Sequence, residues 1–404
     1  MPETTTTSAT NTNPTAPTQP QTDPTVTGTR LPTSVQIGPL TVSPPVVLAP
    51  MAGVTNAPFR KLCRRYGAGL YVSEMITARA FVEGNAKTMR LCEFDPDETP
   101  RSIQLYGIDA HNVGEAVRRL VDTSHVDHID LNFGCPAPKV TRNGGGAALP
   151  VRTRLLESIL RAAVSNAGAV PITAKFRIGT DEDHITFLDT GRIAADTGCS
   201  AIALHARTAY ELYSGDAHWE AIARLKAAVP SIPVLGNGDI WEASDAVRMI
   251  EETGCDGVVV GRGCLGRPRL FRDLAAAFAG EPIEDPPVLG VICDTMIEHL
   301  DLLMAWAGPH LGIREFRKHT GWYLKGFPVG GELRHSLNQL HSREQLSSVL
   351  ATLDRLTPLP PEGRRAKRGH QGGPRRVALP EGWYESAASE AALDEAAEST
   401  SSGG

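Results

Sequence analysis

Eight short apolar runs recur through the middle of the chain. They are "VVLAPM" from Val46, "GLYVSEM" from Gly69, "SIQLYG" from Ser102, "HIDLNFG" from His128, "PITAKFRIG" from Pro171, "AIALHAR" from Ala201, "PVLGNGD" from Pro233 and "GVVVGRG" from Gly257. Each is rich in Val, Ile or Leu and closes on glycine, proline or a polar cluster, which predicts strands. Between them the apolar positions move to helical spacing. "DAHNVGEAVRRLVD" (residues 109–122) starts on a capping aspartate, and "WEASDAVRMIEETG" (residues 241–254) stops at a glycine. Ahead of the first run, "SVQIGPLTV" (residues 34–42) reads as a small hairpin turning at Gly38-Pro39.

Strand–helix alternation repeated eight times over roughly 240 residues predicts an α/β fold, a (β/α)₈ TIM barrel, across residues 34–285. An open doubly wound sheet is the rival. It usually has fewer strands and an early G-x-G-x-x-G loop, and no such loop follows the first run here. Past Glu284 only helical patterns continue, predicting a small helical bundle domain over residues 286–357. The ends are different. Residues 1–33 are Thr, Pro, Asn and Gln, with little to bury, and are expected to be disordered. Residues 358–404 are also expected to be a disordered tail, basic first (Arg364, Arg365, Lys367, Arg368, Arg375, Arg376) and acidic afterwards. That tail reads either as a solvated segment or as a basic arm attracting RNA phosphates.

Composition narrows the class. A chain of 404 residues with 41% hydrophobic content can build a large core, and 21% charged content is ordinary for a soluble protein. A net charge of -6 does not favour a polyanion globally, so any nucleic acid must meet a local basic patch. Such an excess exists in residues 314–334, where five Arg/Lys face two Glu. The seven cysteines are odd in number and never spaced C-x-x-C, which argues against a disulfide framework or metal site and for a reducing compartment. The polar N-terminus predicts no signal peptide, and no apolar run nears the roughly 20 residues of a membrane helix. A cytoplasmic enzyme, monomeric and independent of membranes, is expected.

In a barrel the chemistry sits at the C-terminal strand ends, and unusual polar residues fall there. Asn132 and Cys135 follow the fourth run, Lys175 and Arg177 end the fifth, and His205 and Arg207 end the sixth. Asn237, Gly238 and Asp239 end the seventh, and Gly261 and Arg262 end the eighth. The glycine-rich ends of the last two runs offer backbone N–H groups to a phosphate, with Arg262 adding charge; otherwise they are tight turns. Lys175 and Arg177 share one strand face. They are either surface charges or a cationic pair that needs an anion, such as a flavin that becomes negative near N1 and O2 on reduction. Gln104 suits a pyrimidine edge, and Pro50, Met51 and Ala52 could floor a planar ring. His205 reads as structural or as a ring neighbour. Cys135 is either a small core residue or a thiol that donates a proton while hydride reaches the other end of a conjugated double bond.

Longer stretches resemble one family. "LAPMAGVTNAPFR" (residues 48–60), "DLNFGCPAPKV" (130–140), "NGGGAAL" (143–149), "AKFRIG" (174–179), "LHARTAYELYSGDAHW" (204–219), "NGDI" (237–240), "GVVVGRGCLGRPRLF" (257–271) and "RKHTGWYLKG" (317–326) are similar to the tRNA-dihydrouridine synthases, in particular the DusB-like bacterial branch. The resemblance implies an FMN-dependent barrel that reduces the C5–C6 bond of uridine in the D-loop region of tRNA, with NADPH as reductant. It implies that Cys135 protonates C5 while reduced FMN delivers hydride to C6. It places FMN against Pro50, Met51, Ala52, Gln104, Lys175, His205, Asn237, Gly238, Asp239, Gly261 and Arg262, and the uracil against Asn132, Arg177 and Arg207. The basic face of the helical domain, with Arg314, Arg317, Lys318, Lys325 and Arg334, is expected to hold tRNA phosphates. Trp322 and Tyr323 are either stacking platforms or core aromatics. An FMN barrel acting on a free small molecule, or a flavin- or RNA-binding module without turnover, are the competing functions.

Overall fold

The computed structural model describes Pro2 and residues 31–385. The expected N-terminal tail therefore lies almost wholly outside the described residues, as do residues 386–404. The hairpin forms where Gly38 turns at φ +55, pairing β1 (Val35–Ile37) with β2 (Leu40–Val42) antiparallel. Eight parallel strands then close into a barrel: β3 (Val46–Leu48), β4 (Leu70–Thr77), β5 (Ser102–Tyr106), β6 (His128–Phe133), β7 (Ile172–Arg177), β8 (Ala201–His205), β9 (Val234–Asn237) and β10 (Gly257–Val260), with β10 pairing β3.

Strand pleating divides the core. Val46 and Leu48 of β3 face outward into the layer shared with the helices, while Val47 and Ala49 face inward with Ala201, Ala203, Leu235 and Val259. The hairpin residues Val35, Ile37 and Val42 join that inner cluster. Gly38 lies against Pro171 and Ser200, which precede β7 and β8, so the hairpin closes the N-terminal mouth and leaves the C-terminal mouth open. The helices form for local reasons. Ala110–Ser124 starts where the Asp109 carboxylate accepts from the Asn112 N–H at 2.7 Å. Ala243–Thr253 starts in a capping box between Glu242 and Asp245 and ends at Gly254, φ +67.

After the barrel, helices Leu289–Ala307, Pro309–Tyr323, Gly331–Asn338 and Arg343–Leu350 enclose their own apolar core, including Cys293, Leu300, Phe316 and Leu346. They are fastened to the barrel. The Phe59 ring lies tilted against His299, centroids 5.6 Å apart, and Arg65 pairs with Glu298. At Gly266, φ +63, an added Cβ would lie 2.3 Å from the Trp322 carbonyl carbon. Only glycine allows the helix end to approach this closely, and that approach brings Trp322 to the barrel mouth.

The expectation of a disordered tail fails for residues 358–385. A short helix, Pro361–Arg364, begins a segment that packs along the barrel. Arg368 is buried and donates to the carbonyls of Trp322 and Lys325. Trp383 is 2% exposed, its indole donating to the Ala148 carbonyl at 2.9 Å beneath the Arg152 guanidinium. A segment poor in large apolar residues needs few of them when the fold supplies the pocket.

Candidate functional site

One cavity of about 820 Å³ opens at the C-terminal mouth. It lies within the range of small-molecule sites, roughly 300–1,000 Å³. Pro50, Met51, Ala52, Gln104, Asn132, Cys135, Lys175, Arg177, His205, Asn237, Gly238, Asp239, Gly261 and Arg262 all line it. Arg207 does not. It is fully buried behind Asp239, to which it donates at 2.6 Å, and it also bonds the Ser214 and Gly215 carbonyls. It orders the loop after β8 and is not among the residues lining the cavity, where its contact with uracil was expected.

A hydrogen-bonded thread crosses the barrel interior beneath the cavity. Ser102 Oγ meets His128 Nδ1 at 2.7 Å, and His128 Nε2 meets Thr173 Oγ1 at 3.0 Å. Thr173 donates to Asp130 Oδ1 at 2.6 Å, and Gln104 Nε2 donates to Asp130 Oδ2 at 2.7 Å. Asn132 Nδ2 donates to Gln104 Oε1 at 2.8 Å, and Asn132 Oδ1 accepts the N–H groups of Gly134 and Cys135. Burial pushes the Asp130 carboxyl up to about 6 and the His128 imidazole down to about 3. The thread fixes both amides, so Gln104 keeps one N–H and one lone pair for a ligand, and Asn132 holds the Cys135 loop. Thr173→Val, which keeps shape and deletes the hydroxyl, is expected to leave His128 and Asp130 short of partners. It should cost about 1–3 kcal/mol, read as a lower denaturation midpoint; an unchanged midpoint would show the thread to be slack.

Sequence reading missed Asp130, Thr173, Ser102 and His128. The signal was present: polar residues occupy alternate positions on β5 (Ser102, Gln104), β6 (His128, Asp130, Asn132) and β7 (Thr173, Lys175, Arg177), one inward face of three neighbouring strands.

Cations ring the deeper wall. Lys175 Nζ donates to Asn237 Oδ1 at 2.9 Å, and the Asn237 amide donates to the Val259 carbonyl. Burial first, then Arg177, depresses the Lys175 ammonium to about 8 against the pull of Asp130. Arg177 is committed through Nε to the Gly134 carbonyl and through one terminal nitrogen to Thr208 and Leu212, leaving the other terminal nitrogen. Arg262 donates to Asp239 and to the His370 carbonyl and lies over Tyr213. Burial, followed by these cations, keeps His205 neutral. Burial also pushes the Cys135 thiol above its ordinary value, with the Ala137 N–H, Arg177 and Lys139 opposing only in part. Cys135, Lys175 and His205 are half-buried, each lining the cavity.

The wall suits a flavin nucleotide. A depressed lysine beside an arginine is a site short of negative charge. Gly238, φ +142, and Gly261 bring backbone to the cavity edge; a Cβ on Gly261 would stand 3.9 Å from Met51 Sδ, filling the space at that wall. No group of acidic, histidine or cysteine side chains among the described residues could hold a metal ion. No described helix is long and apolar enough to cross a membrane.

Of the expected phosphate-holding residues, Arg317 donates through Nε and one terminal nitrogen to the Leu340 carbonyl, and Arg334 through one terminal nitrogen to the Leu324 and Phe327 carbonyls. Arg314, Lys318 and Lys325 are exposed, and Lys318 also lines the cavity while pairing with Glu315. Tyr323 is core, bonded to His299; Trp322 is half-buried on the cavity wall.

Known proteins place the chain. A family model described as dihydrouridine synthase (Dus) matches residues 47–357. A protein of Mycobacterium tuberculosis (strain ATCC 25618 / H37Rv) named "Probable tRNA-dihydrouridine synthase" is 52% identical over 359 residues, covering 87% of this chain and 92% of its own. A like-named protein of Mycobacterium leprae (strain TN) is 50% identical over 365 residues, covering 83% and 95%. "tRNA-dihydrouridine synthase B" of Xanthomonas campestris pv. campestris is 41% identical over 310 residues, covering 77% and 92%. A match over most of the chain, together with a closed eight-stranded barrel, means that this protein belongs to the dihydrouridine synthase family.

Proposed function

We propose that this enzyme reduces the C5–C6 double bond of uridines in tRNA to 5,6-dihydrouridine, with FMN bound in the cavity and NADPH as the reductant. The observation that carries the reading is the meeting of Cys135, Lys175, Arg177 and His205 on one cavity wide enough for a flavin and a flipped-out base. The flavin, when bound, supplies the hydride for C6. Lys175, its ammonium fixed by Asn237, would offset negative charge that the bound ring gathers on reduction. Gly238, Gly261 and Arg262 would hold the phosphate, and Pro50, Met51 and Ala52 would floor the ring.

Cys135 gives its proton to C5. Its thiol is neutral because burial disfavours the thiolate, and a neutral thiol is the form a general acid needs. The Ala137 N–H and Arg177 then steady the sulfur while it carries negative charge, until a proton returns. The free terminal nitrogen of Arg177 can donate to a uracil carbonyl. A base inside the barrel must leave its stack, so RNA has to be gripped outside the cavity, and Lys318, Lys325 and Arg314 offer exposed cations for that.

The deciding experiment is mass mapping of dihydrouridine in an unmodified tRNA transcript incubated with the purified flavoprotein and NADPH. A mass gain of two hydrogens at defined uridines is expected. No gain in tRNA, with turnover of free uracil instead, would overturn the reading.

A further inference from the structure

The family match ends at residue 357, yet the chain continues in order to residue 385. This continuation runs around the open mouth and is tied down at both ends. At its start Arg365 pairs with Asp245, and Arg368 is buried against the end of the helix Pro309–Tyr323. Gly369, φ +74, lies against Leu265 and Arg262 beyond β10, and Arg262 holds the His370 carbonyl. The Arg375 N–H donates to the Tyr210 carbonyl in the loop after β8 at 2.8 Å. At the far end Trp383 is buried against Ala148 and Arg152. Tyr384 stacks on His184 at 3.5 Å and bonds Thr180 beyond β7.

Between these anchors the segment borders the same cavity as Cys135, through Gly369, His370, Gly372, Arg375, Arg376 and Val377. From Arg364 to Arg376 it carries six Arg/Lys and no acidic residue. Arg365 and Arg368 are used in anchoring. The guanidinium groups of Arg375 and Arg376 are exposed and have no hydrogen-bond or ion-pair partner among the described residues. Tyr210, 41% exposed, fixes the main chain at Arg375 through its carbonyl. Paired, unpartnered cations at the mouth of this cavity match the chemistry of RNA phosphates.

We infer that residues 369–382 form a fixed strap whose Arg375 and Arg376 bind the RNA phosphates flanking the base that enters the cavity, a second grip beside the one on the helical domain. The inference rests on the tRNA reading above. The buried tryptophan and the buried arginine at its two ends argue for a permanent wall rather than a cover that RNA must push aside.

The test uses the full-length flavoprotein and the Arg375→Ala/Arg376→Ala variant, whose lost groups are exposed and hold nothing in the fold. Affinity for an unmodified tRNA transcript should fall about tenfold at moderate salt, and the slope of log affinity against log salt should shrink by about 1.4–1.8, two phosphate contacts' worth. Flavin reduction by NADPH without RNA should be unchanged, and Arg375→Lys/Arg376→Lys should recover most of the binding. Unchanged RNA affinity with slower reduction by NADPH would assign the cations to the dinucleotide and overturn the inference. So would a gain in RNA affinity when Trp383→Ala frees the strap, the mark of an obstructing cover. If the wild type makes no dihydrouridine while loss of the arginine pair still weakens RNA binding, the strap stands and the proposed reaction falls.

Discussion

Cys135→Ala is expected to keep its flavin and accept electrons from NADPH at the normal rate, yet form dihydrouridine about a hundred- to ten-thousand-fold more slowly, the span of a lost general acid. The two halves of the reaction separate because hydride and proton come from different groups. The sulfur lies in the loop held by Asn132, so the change should leave the cavity intact. The acid limb also has a direction. Burial raises the thiol's value, so the wild type should retain its proton donor beyond about pH 8.5, where an ordinary cysteine begins to lose it. Stopped-flow flavin reduction followed by single-turnover product formation checks both. A variant with normal product formation would remove Cys135 from the reaction.

Lys175→Met is expected to bind flavin about ten- to a hundredfold more weakly, the loss of one charge-assisted hydrogen bond, and to purify with little yellow colour. The same change should stabilise the empty protein. In the fold, burial and Arg177 hold this ammonium at about 8; in the unfolded chain it titrates near about 10.4. The folded value is the lower one, so the protonated side chain opposes folding fully below about pH 8, and the penalty fades as pH climbs towards the unfolded value. Thermal melts of flavin-free wild type and variant should therefore differ most near neutrality, with the variant higher, and converge above about pH 8–10. Full flavin occupancy with normal reduction, or a variant melting below the wild type at neutral pH, would show that Lys175 is not strained in waiting for an anion.

Much of this architecture was legible because barrel strands announce themselves locally. The run at Pro233 ends in Gly-Asn-Gly-Asp whatever surrounds it, and the capping Asp109 and the terminal Gly254 mark helix ends by backbone chemistry alone. The candidate residues were legible because C-terminal strand ends converge in any such barrel. Side-chain partners are not legible in the sequence. Arg207 looks like Arg177 in sequence, but only three-dimensional packing shows that it pairs with Asp239 behind the cavity while Arg177 lines it. Arg317 and Arg334 count as positive charge in any tally, and only the fold shows that part of each guanidinium is tied to main-chain carbonyls. The tail was misjudged because composition averages over a segment. One tryptophan and one arginine, each with a prepared pocket, order residues that are otherwise small and polar.

The strap bears on inhibitor selectivity. A compound confined to the inner cavity touches Lys175, Asn237 and Gly261, all inside the stretch matched to the family. A compound grown outward would meet His370, Arg375 and Val377, beyond that stretch. An acidic extension reaching that outer wall would engage arginines that lie outside the stretch matched to the family.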